Sequence, residues 1–167
     1  MVAACDHAPR IRSPGEFFAH ALAIEREAAI RYMQFADQML SEGNRETAEL
    51  FERLAQYETA HHGKLQERTR ELALPALNPW EYRWIDPHSP EAAPLEPVHY
   101  SLTPWHAVRI ALVNELRAKD FFEAVAALPG ASAEVRRLAT EFAAEEHEHA
   151  GYLEAMLVSM APPPLPG

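Results

Sequence analysis

Apolar residues recur at every third or fourth position along three proline-free stretches of the chain, and this spacing predicts α-helices. The 14 prolines fall before or at the starts of these stretches, between them, or in the tail that follows the last one. Gly43-Asn44 divides the first stretch in two, and residues 128–130 (Leu-Pro-Gly) separate the last two helices. No segment alternates apolar and polar residues as a strand would. The predicted helices span about 14–41, 45–72, 104–128 and 133–160.

Short turns join the first helix to the second and the third to the fourth, so each pair should form an antiparallel hairpin. A long segment, about 73–103, connects the two hairpins; it is rich in proline but also carries several aromatic residues, which favours an extended crossover packed along the bundle. The sequence therefore predicts an all-α, four-helix domain over residues 14–160. Residues 1–13 would be an N-terminal arm and 161–167 a proline-rich tail.

Each predicted helix also places acidic groups in the middle of its apolar stripe. Within the run EEHEH at 145–149, the helical register points Glu146 and His149 inward and His147 and Glu148 outward. The same exercise on the other helices gives a set of four glutamates and two histidines that should face one interior. The set consists of Glu25, Glu58, His61, Glu115, Glu146 and His149.

The six positions are related by an internal repeat and by depth. The pattern L-x3-L/F-A-x2-E-x2-H-x-G-x-L occurs at 50–65 and again at 138–153, and residues 21–32 resemble 111–122 in the same way. Within each hairpin the two glutamates lie about equally far from the turn, so they should reach similar heights in the bundle. The chain looks like a duplicated helical hairpin.

A single inward glutamate or histidine is usually a frayed edge or a satisfied core residue, but six together need compensation. Burying carboxylates costs several kcal/mol each without an opposite charge, and no lysine or arginine stands on these stripes. Two divalent cations would neutralise four carboxylates, and neutral imidazoles would complete the coordination. The pattern therefore predicts a dinuclear metal site.

One glutamate from each of two helices, with Glu-x-x-His from each of the other two, resembles the ligand set of ferritin-like di-iron and di-manganese proteins. The first-helix segment AIEREAAIRYMQFAD, with Tyr32 seven residues after Glu25, is similar to the rubrerythrin branch. The resemblance implies that Glu58 and Glu146 bridge two iron ions, with manganese as the alternative metal. It further implies that Glu25 and His61 complete one coordination sphere, Glu115 and His149 the other, and that Tyr32 lies just outside them.

The chain departs from rubrerythrins in two respects. Its lone cysteine, Cys5, excludes a rubredoxin-type iron centre, which needs four. Residues 116–119 (Leu-Arg-Ala-Lys) also lack the extra carboxylate that rubrerythrins carry about one turn after the third-helix ligand.

The net charge of −10 and the absence of a basic run argue against nucleic acid and anionic membranes as partners. No apolar segment reaches the length of a membrane span or a signal peptide, and we expect a cytoplasmic protein. The resemblance implies redox chemistry with peroxide or O2, supported by an unidentified electron donor. Iron sequestration through a ferroxidase centre and a metal-free interaction scaffold are the alternatives.

The resemblance also implies a homodimer. Four apolar side chains on the first helix fall outside its predicted stripe and would offer a contact face. They are Phe18, Leu22, Met33 and Leu40.

Overall fold

The computed structural model describes residues 11–84, 88–92 and 101–163. It contains four α-helices and, within the crossover, a single turn of 3₁₀ helix at Pro79–Glu81; the described residues include no strand. The helices are α1 (Pro14–Ser41), α2 (Arg45–Thr69), α3 (Pro104–Ala126) and α4 (Ala133–Ser159). The all-α prediction is confirmed. Helices α2 and α3 end slightly earlier than the apolar spacing indicated.

The helix starts are fixed by side chains that accept hydrogen bonds from otherwise unpaired backbone N–H groups. Ser13 accepts from the backbone N of Glu16 (3.2 Å) at the start of α1, and Ser132 accepts from the backbone N of Val135 (3.2 Å) at the start of α4. Gly43 adopts a positive φ of 76° in the turn between α1 and α2, a conformation that costs glycine little. These local signals place the helices where the sequence predicted them.

The α1–α2 turn also holds the end of the crossover. Asn44 caps α2 and donates its side-chain N–H to the carbonyl of Leu102 (2.5 Å), and the Thr47 hydroxyl donates to the same carbonyl (2.9 Å). Leu102 lies two residues before the start of α3, so α3 starts at the end of the bundle where α1 stops. Helix α1 packs mainly against α2, and α3 against α4.

The apolar core consists of two clusters separated along every helix by the acidic positions. One cluster contains Tyr32, Phe35 and Phe51, among others. The other is largely aromatic and includes Phe17, Phe122 and Phe142. The glutamates therefore lie in a layer between two packed apolar regions, where water is scarce and unpaired charge is costly.

One part of the predicted dimer face is wrong. The Phe18 side chain is only 5% exposed, because its ring packs edge-on against Phe17 (5.6 Å between centroids) and lies beneath the Arg68 guanidinium (5.5 Å). Met33 and Leu40 are exposed, as the register indicated. Among the described residues, no helix combines the length and the apolar character needed to cross a membrane.

Candidate metal centre

The structure gathers the six inward polar residues into two clusters of three. In each cluster the potential ligand atoms all lie within 4.8 Å of one another. One cluster comprises Glu25, Glu58 and His61, and the other Glu115, Glu146 and His149. Each hairpin thus supplies one complete cluster, in keeping with the duplicated sequence pattern.

Helical geometry explains why each Glu-x-x-His pair faces the same way. Residues three apart lie on one helix face, one turn above the other. The two faces meet across the bundle. The rings of His61 on α2 and His149 on α4 stack there, with 4.6 Å between their centroids and 28° between their planes. The two clusters are therefore neighbours within one site.

The second cluster is drawn together by hydrogen bonds. Nδ1 of His149 lies 3.0 Å from Oε2 of Glu146 and 3.3 Å from Oε2 of Glu115. The first cluster is looser, with 3.8 Å between Nδ1 of His61 and Oε2 of Glu25. Among the described residues, Oε2 of Glu25 is buried and has no hydrogen-bond partner. An orphaned carboxylate oxygen aimed at such a cluster is a ready ligand atom.

The buried carboxyl groups disfavour one another's charge. Burial raises the pKa of Glu25 to about 7, although hydrogen bonding with Glu58 acts in the opposite direction. Burial also raises the pKa of Glu58 well above its usual range, and the charges of Glu115 and Glu25 raise it further. The pKa of Glu146 is raised in the same way by burial, against the hydrogen bond from His149. Without a cation, the site favours protonated carboxyl groups.

The two histidines respond oppositely to this environment. Burial lowers the pKa of His61 to about 4, and the neighbouring His149 lowers it as well. Burial also lowers the pKa of His149, but its hydrogen bonds with Glu115 and Glu146 outweigh burial and raise it to about 10. In the absence of metal, a protonated His149 thus places one positive charge beside the carboxylates, whereas a divalent cation would place two.

These donors suit a pair of divalent cations. Four carboxylates balance two M²⁺ ions, two imidazoles add neutral nitrogen ligands, and carboxylate with imidazole suits iron, manganese and zinc alike. The orphaned Glu25 oxygen and the mutual elevation of the carboxyl pKa values are both relieved by such ions. The residues present therefore fit a dimetal centre.

A cavity of about 340 Å³ leads from the surface to this centre. Glu25, His61 and His149 line its inner part, and the exposed Lys64 and Arg68 stand at its rim. The exposed carboxylates Glu145 and Glu148 line the cavity as well. A single water occupies about 30 Å³ of liquid volume, so small molecules have ample room to reach the histidines.

Two tyrosines flank the centre on different sides. Tyr32 is fully buried, and its hydroxyl oxygen accepts a hydrogen bond from Nδ2 of Asn114 (3.0 Å). Tyr57 follows the apolar periodicity of α2 but is 43% exposed, with its ring 4.1 Å from that of His61 and 5.7 Å from that of His149. Tyr57 thus covers the histidines on the surface side. The apolar spacing predicted a core position for Tyr57, but the residue lies on an edge of α2 that faces solvent.

Sequence reasoning missed one buried acid, Glu91, in the crossover. It is 2% exposed and its carbonyl accepts a hydrogen bond from Asn114 (3.1 Å). An irregular, proline-rich segment has no periodicity from which to infer the direction of a side chain. The available signal lay on α3, where Asn114, an amide preceding Glu115, interrupts the apolar pattern and needs a polar partner inside the bundle.

Comparison with known proteins agrees with the fold. A family model described as Rubrerythrin matches residues 16–81, which contain the cluster formed by Glu25, Glu58 and His61. The crystal structure of an uncharacterized conserved protein from Magnetospirillum magnetotacticum MS-1 is similar at 38% identity and a TM-score of 0.65, over 92% of this chain and 99% of that one. No curated protein matches. The chain therefore has the ferritin-like helical fold, belongs to the same family as the Magnetospirillum protein, and is similar to rubrerythrins over residues 16–81.

Proposed function

We propose that this protein is a dinuclear iron oxidoreductase of rubrerythrin-like type that acts on peroxide or O2. The observation that carries the proposal is the meeting of two matched Glu/Glu/His clusters in the interior of a chain whose residues 16–81 match the Rubrerythrin family model. An interaction scaffold would have no use for four buried, mutually repelling carboxylates, which cost stability without a cation.

Each residue has a role in this proposal. By the resemblance to rubrerythrins, Glu58 and Glu146 would each hold both ions. Glu25 with His61 would hold one ion in addition, and Glu115 with His149 the other. When bound, two ferrous ions would supply the two electrons that, with two protons, reduce peroxide to water, and an external reductant would have to replace those electrons.

The protein's own contribution is to admit a small oxidant and to manage protons. The cavity opens on the histidine side, and the Lys64 and Arg68 side chains at its rim carry positive charge. Along the bundle, the two packed core clusters enclose the centre on either side. Burial raises the pKa of Tyr32 well above its usual range, so its hydroxyl keeps its proton next to the centre. Asn114 donates to that hydroxyl, which leaves the Tyr32 hydrogen free to be donated inward.

Metal stoichiometry tests the proposal first. Protein purified without added metal is analysed for iron and manganese, then titrated with Fe(II) under anaerobic conditions. We expect about two Fe(II) per chain. The matched control is Glu154→Gln, which removes an exposed carboxylate of α4 that is not part of the cavity lining and should leave the stoichiometry unchanged. A plateau at one ion, or no binding, contradicts the dinuclear centre.

Turnover tests the chemistry. With an added reductant, the iron-loaded protein should consume peroxide over many cycles, and Glu58→Gln, which removes a proposed bridge, should abolish that activity. Iron sequestration through the same centre is the second candidate, favoured by Glu145 and Glu148, whose carboxylates line the cavity and attract cations. Accumulation of many irons per chain without continued peroxide consumption would establish sequestration instead.

A further inference from the structure

Glu91 is a buried acid that the six-residue centre does not use. It lies in the crossover, outside the four helices, yet only 2% of it is exposed. Its Oε2 atom is buried and has no hydrogen-bond partner among the described residues. A carboxyl group in this position is costly unless a nearby positive charge or a donor stabilises it. Its retention inside the bundle therefore calls for a physical reason.

Asn114 fixes Glu91 beside the metal-binding helices. One hydrogen of its side-chain amide goes to the Glu91 carbonyl (3.1 Å) and the other to the Tyr32 hydroxyl (3.0 Å). Asn114 directly precedes the ligand Glu115 on α3. A turn closed by the backbone N of Ala92 on the carbonyl of Ser89 (3.0 Å) holds the segment in shape. The crossover is thus tied to α1 and α3 at the level of the centre.

The charges that act on Glu91 are those of the centre itself. Burial raises the pKa of Glu91 well above its usual range, and the next contributions come from Glu58, Glu115, Glu146 and Glu25, in that order. These are the four carboxylates of the two clusters. Among the described residues, no lysine or arginine forms an ion pair with Glu91. Cations bound by the clusters would be the positive charges best placed to stabilise it.

We propose that Glu91 is an outer, fifth carboxylate of the metal centre, brought in by the crossover on the Tyr32 side, and that its charge strengthens the hold of the six ligands on divalent cations. Glu91 belongs to neither three-residue cluster, so it acts from beyond the ligands and is a positioning residue rather than a ligand. The inference rests on the proposed metal centre. It adds an acidic group that the four-helix pattern does not contain.

Outer carboxylates of this kind contribute measurably to metal affinity. Substitutions of groups that surround metal ligands typically weaken binding by about 10–100-fold. Glu91→Gln keeps the size and polarity of the side chain but removes its charge, so it should weaken binding by at least about tenfold. Glu91→Asp keeps the charge and should restore most of the affinity. Ser89→Ala is the matched control, since Ser89 is equally buried in the same turn but carries no charge.

The test uses Co(II), whose visible absorption reports on its ligands, in competition with a chelator, and compares the full-length wild type with the three variants. Metal-free melts are recorded in parallel. We expect two Co(II) per chain in every case, weaker binding for Glu91→Gln alone, and a metal-free melting temperature for Glu91→Gln no lower than that of the wild type. Should Glu91→Gln lose helicity, Glu91→Met is the second neutral variant, with the same loss of affinity expected.

Two results would overturn the inference while leaving the metal centre intact. The first is a wild type that binds two Co(II) and a Glu91→Gln variant that binds them equally tightly. The second is an equal loss of affinity in Ser89→Ala, which would trace the effect to crossover packing instead of charge. A wild type that binds no Co(II) would refute both the metal centre and the role of Glu91.

Discussion

The sharpest consequence of the structure is that pH should change the stability of the metal-free and metal-loaded protein in opposite directions. Without metal, Glu25 has a pKa of about 7 in the folded protein, against 4.5 for an ordinary glutamate. The folded state therefore holds a proton that the unfolded state has released. The stability contributed by this group is fully present below pH 4.5 and is lost as the pH rises through about 7.

The histidines define the window in which the sign is unambiguous. His149, with a pKa raised to about 10, contributes stability that is present below pH 6.5 and lost as the pH rises through about 10, in the same direction as Glu25. His61, with a pKa lowered to about 4, acts oppositely, but its gain is complete once the pH exceeds 6.5. Above pH 6.5, both remaining trends lower the stability of the metal-free protein.

The magnitude follows from linkage. Between pH 6.5 and 8.5, Glu25 alone should cost about 1 kcal/mol of unfolding free energy. Burial raises the pKa values of Glu58 and Glu146 as well, so these groups act in the same direction as Glu25 and add to the decline. With metal in excess the slope should reverse, because cations bind deprotonated ligands and binding stabilises the folded state.

Urea unfolding at several pH values, in a chelator and in excess Co(II), measures both slopes. Glu25→Gln should reduce the slope of the metal-free protein, whereas Glu148→Gln, which changes an exposed carboxylate, should leave it unchanged. A metal-free protein whose unfolding free energy is constant or rises between pH 6.5 and 8.5 would refute the account of the buried carboxyl groups.

Three further predictions concern the ligands, a helix cap and assembly. Glu146→Ala should lose both metals in an anaerobic Fe(II) titration, because Glu146 is a proposed bridge, whereas Glu115→Ala should weaken mainly one; equal losses would contradict the bridging assignment. Asn44→Ala should lower the unfolding free energy measured in urea by about 1–2 kcal/mol, since Asn44 caps α2 and holds Leu102; an unchanged value would show that neither bond contributes. We expect a homodimer whose contact face includes the exposed Met33 and Leu40, and light scattering should give the mass of two chains. A mass of 18.8 kDa, that of one chain, would contradict the dimer.

The sequence predicted the helices and the direction of six polar side chains because both depend on local periodicity. A helix turns by a nearly constant angle per residue, so the face on which Glu146 or His149 lies follows from its neighbours. Tertiary position is less predictable. Phe18 lies on the edge of the α1 stripe and is buried by contacts with Phe142 and Arg68, and Tyr57 follows the apolar spacing of α2 but remains exposed. Whether a residue at the edge of an apolar stripe is buried or exposed depends on how much of the helix surface its neighbours cover.

The burial of Glu91 could not be predicted from periodicity, because its position depends on the path of an irregular segment. What holds it is a polar contact on α3 that the duplicated hairpin does not share. Asn114 precedes Glu115 as Ile24 precedes Glu25, and Tyr32 corresponds to Phe122 in the repeat. Each half of the duplication thus contributes one polar group near the centre, the Tyr32 hydroxyl from the first half and the Asn114 amide from the second, and has an apolar residue at the position equivalent to the other.

This difference gives a symmetric set of ligands two unlike ends. Ile24 and Phe122 belong to the aromatic core cluster, which seals its end of the bundle with apolar contacts. At the other end, Asn114 joins Tyr32 to the crossover and to Glu91. The four-helix framework alone supplies equal ligands to both metals. In the mechanism proposed here, the proton donor Tyr32 and the charge of Glu91 both act from the Tyr32 end. Replacing Tyr32 by phenylalanine and Asn114 by isoleucine, their counterparts in the repeat, should therefore leave two metals bound. The two metals should be held less tightly, because Glu91 depends on Asn114 for its position.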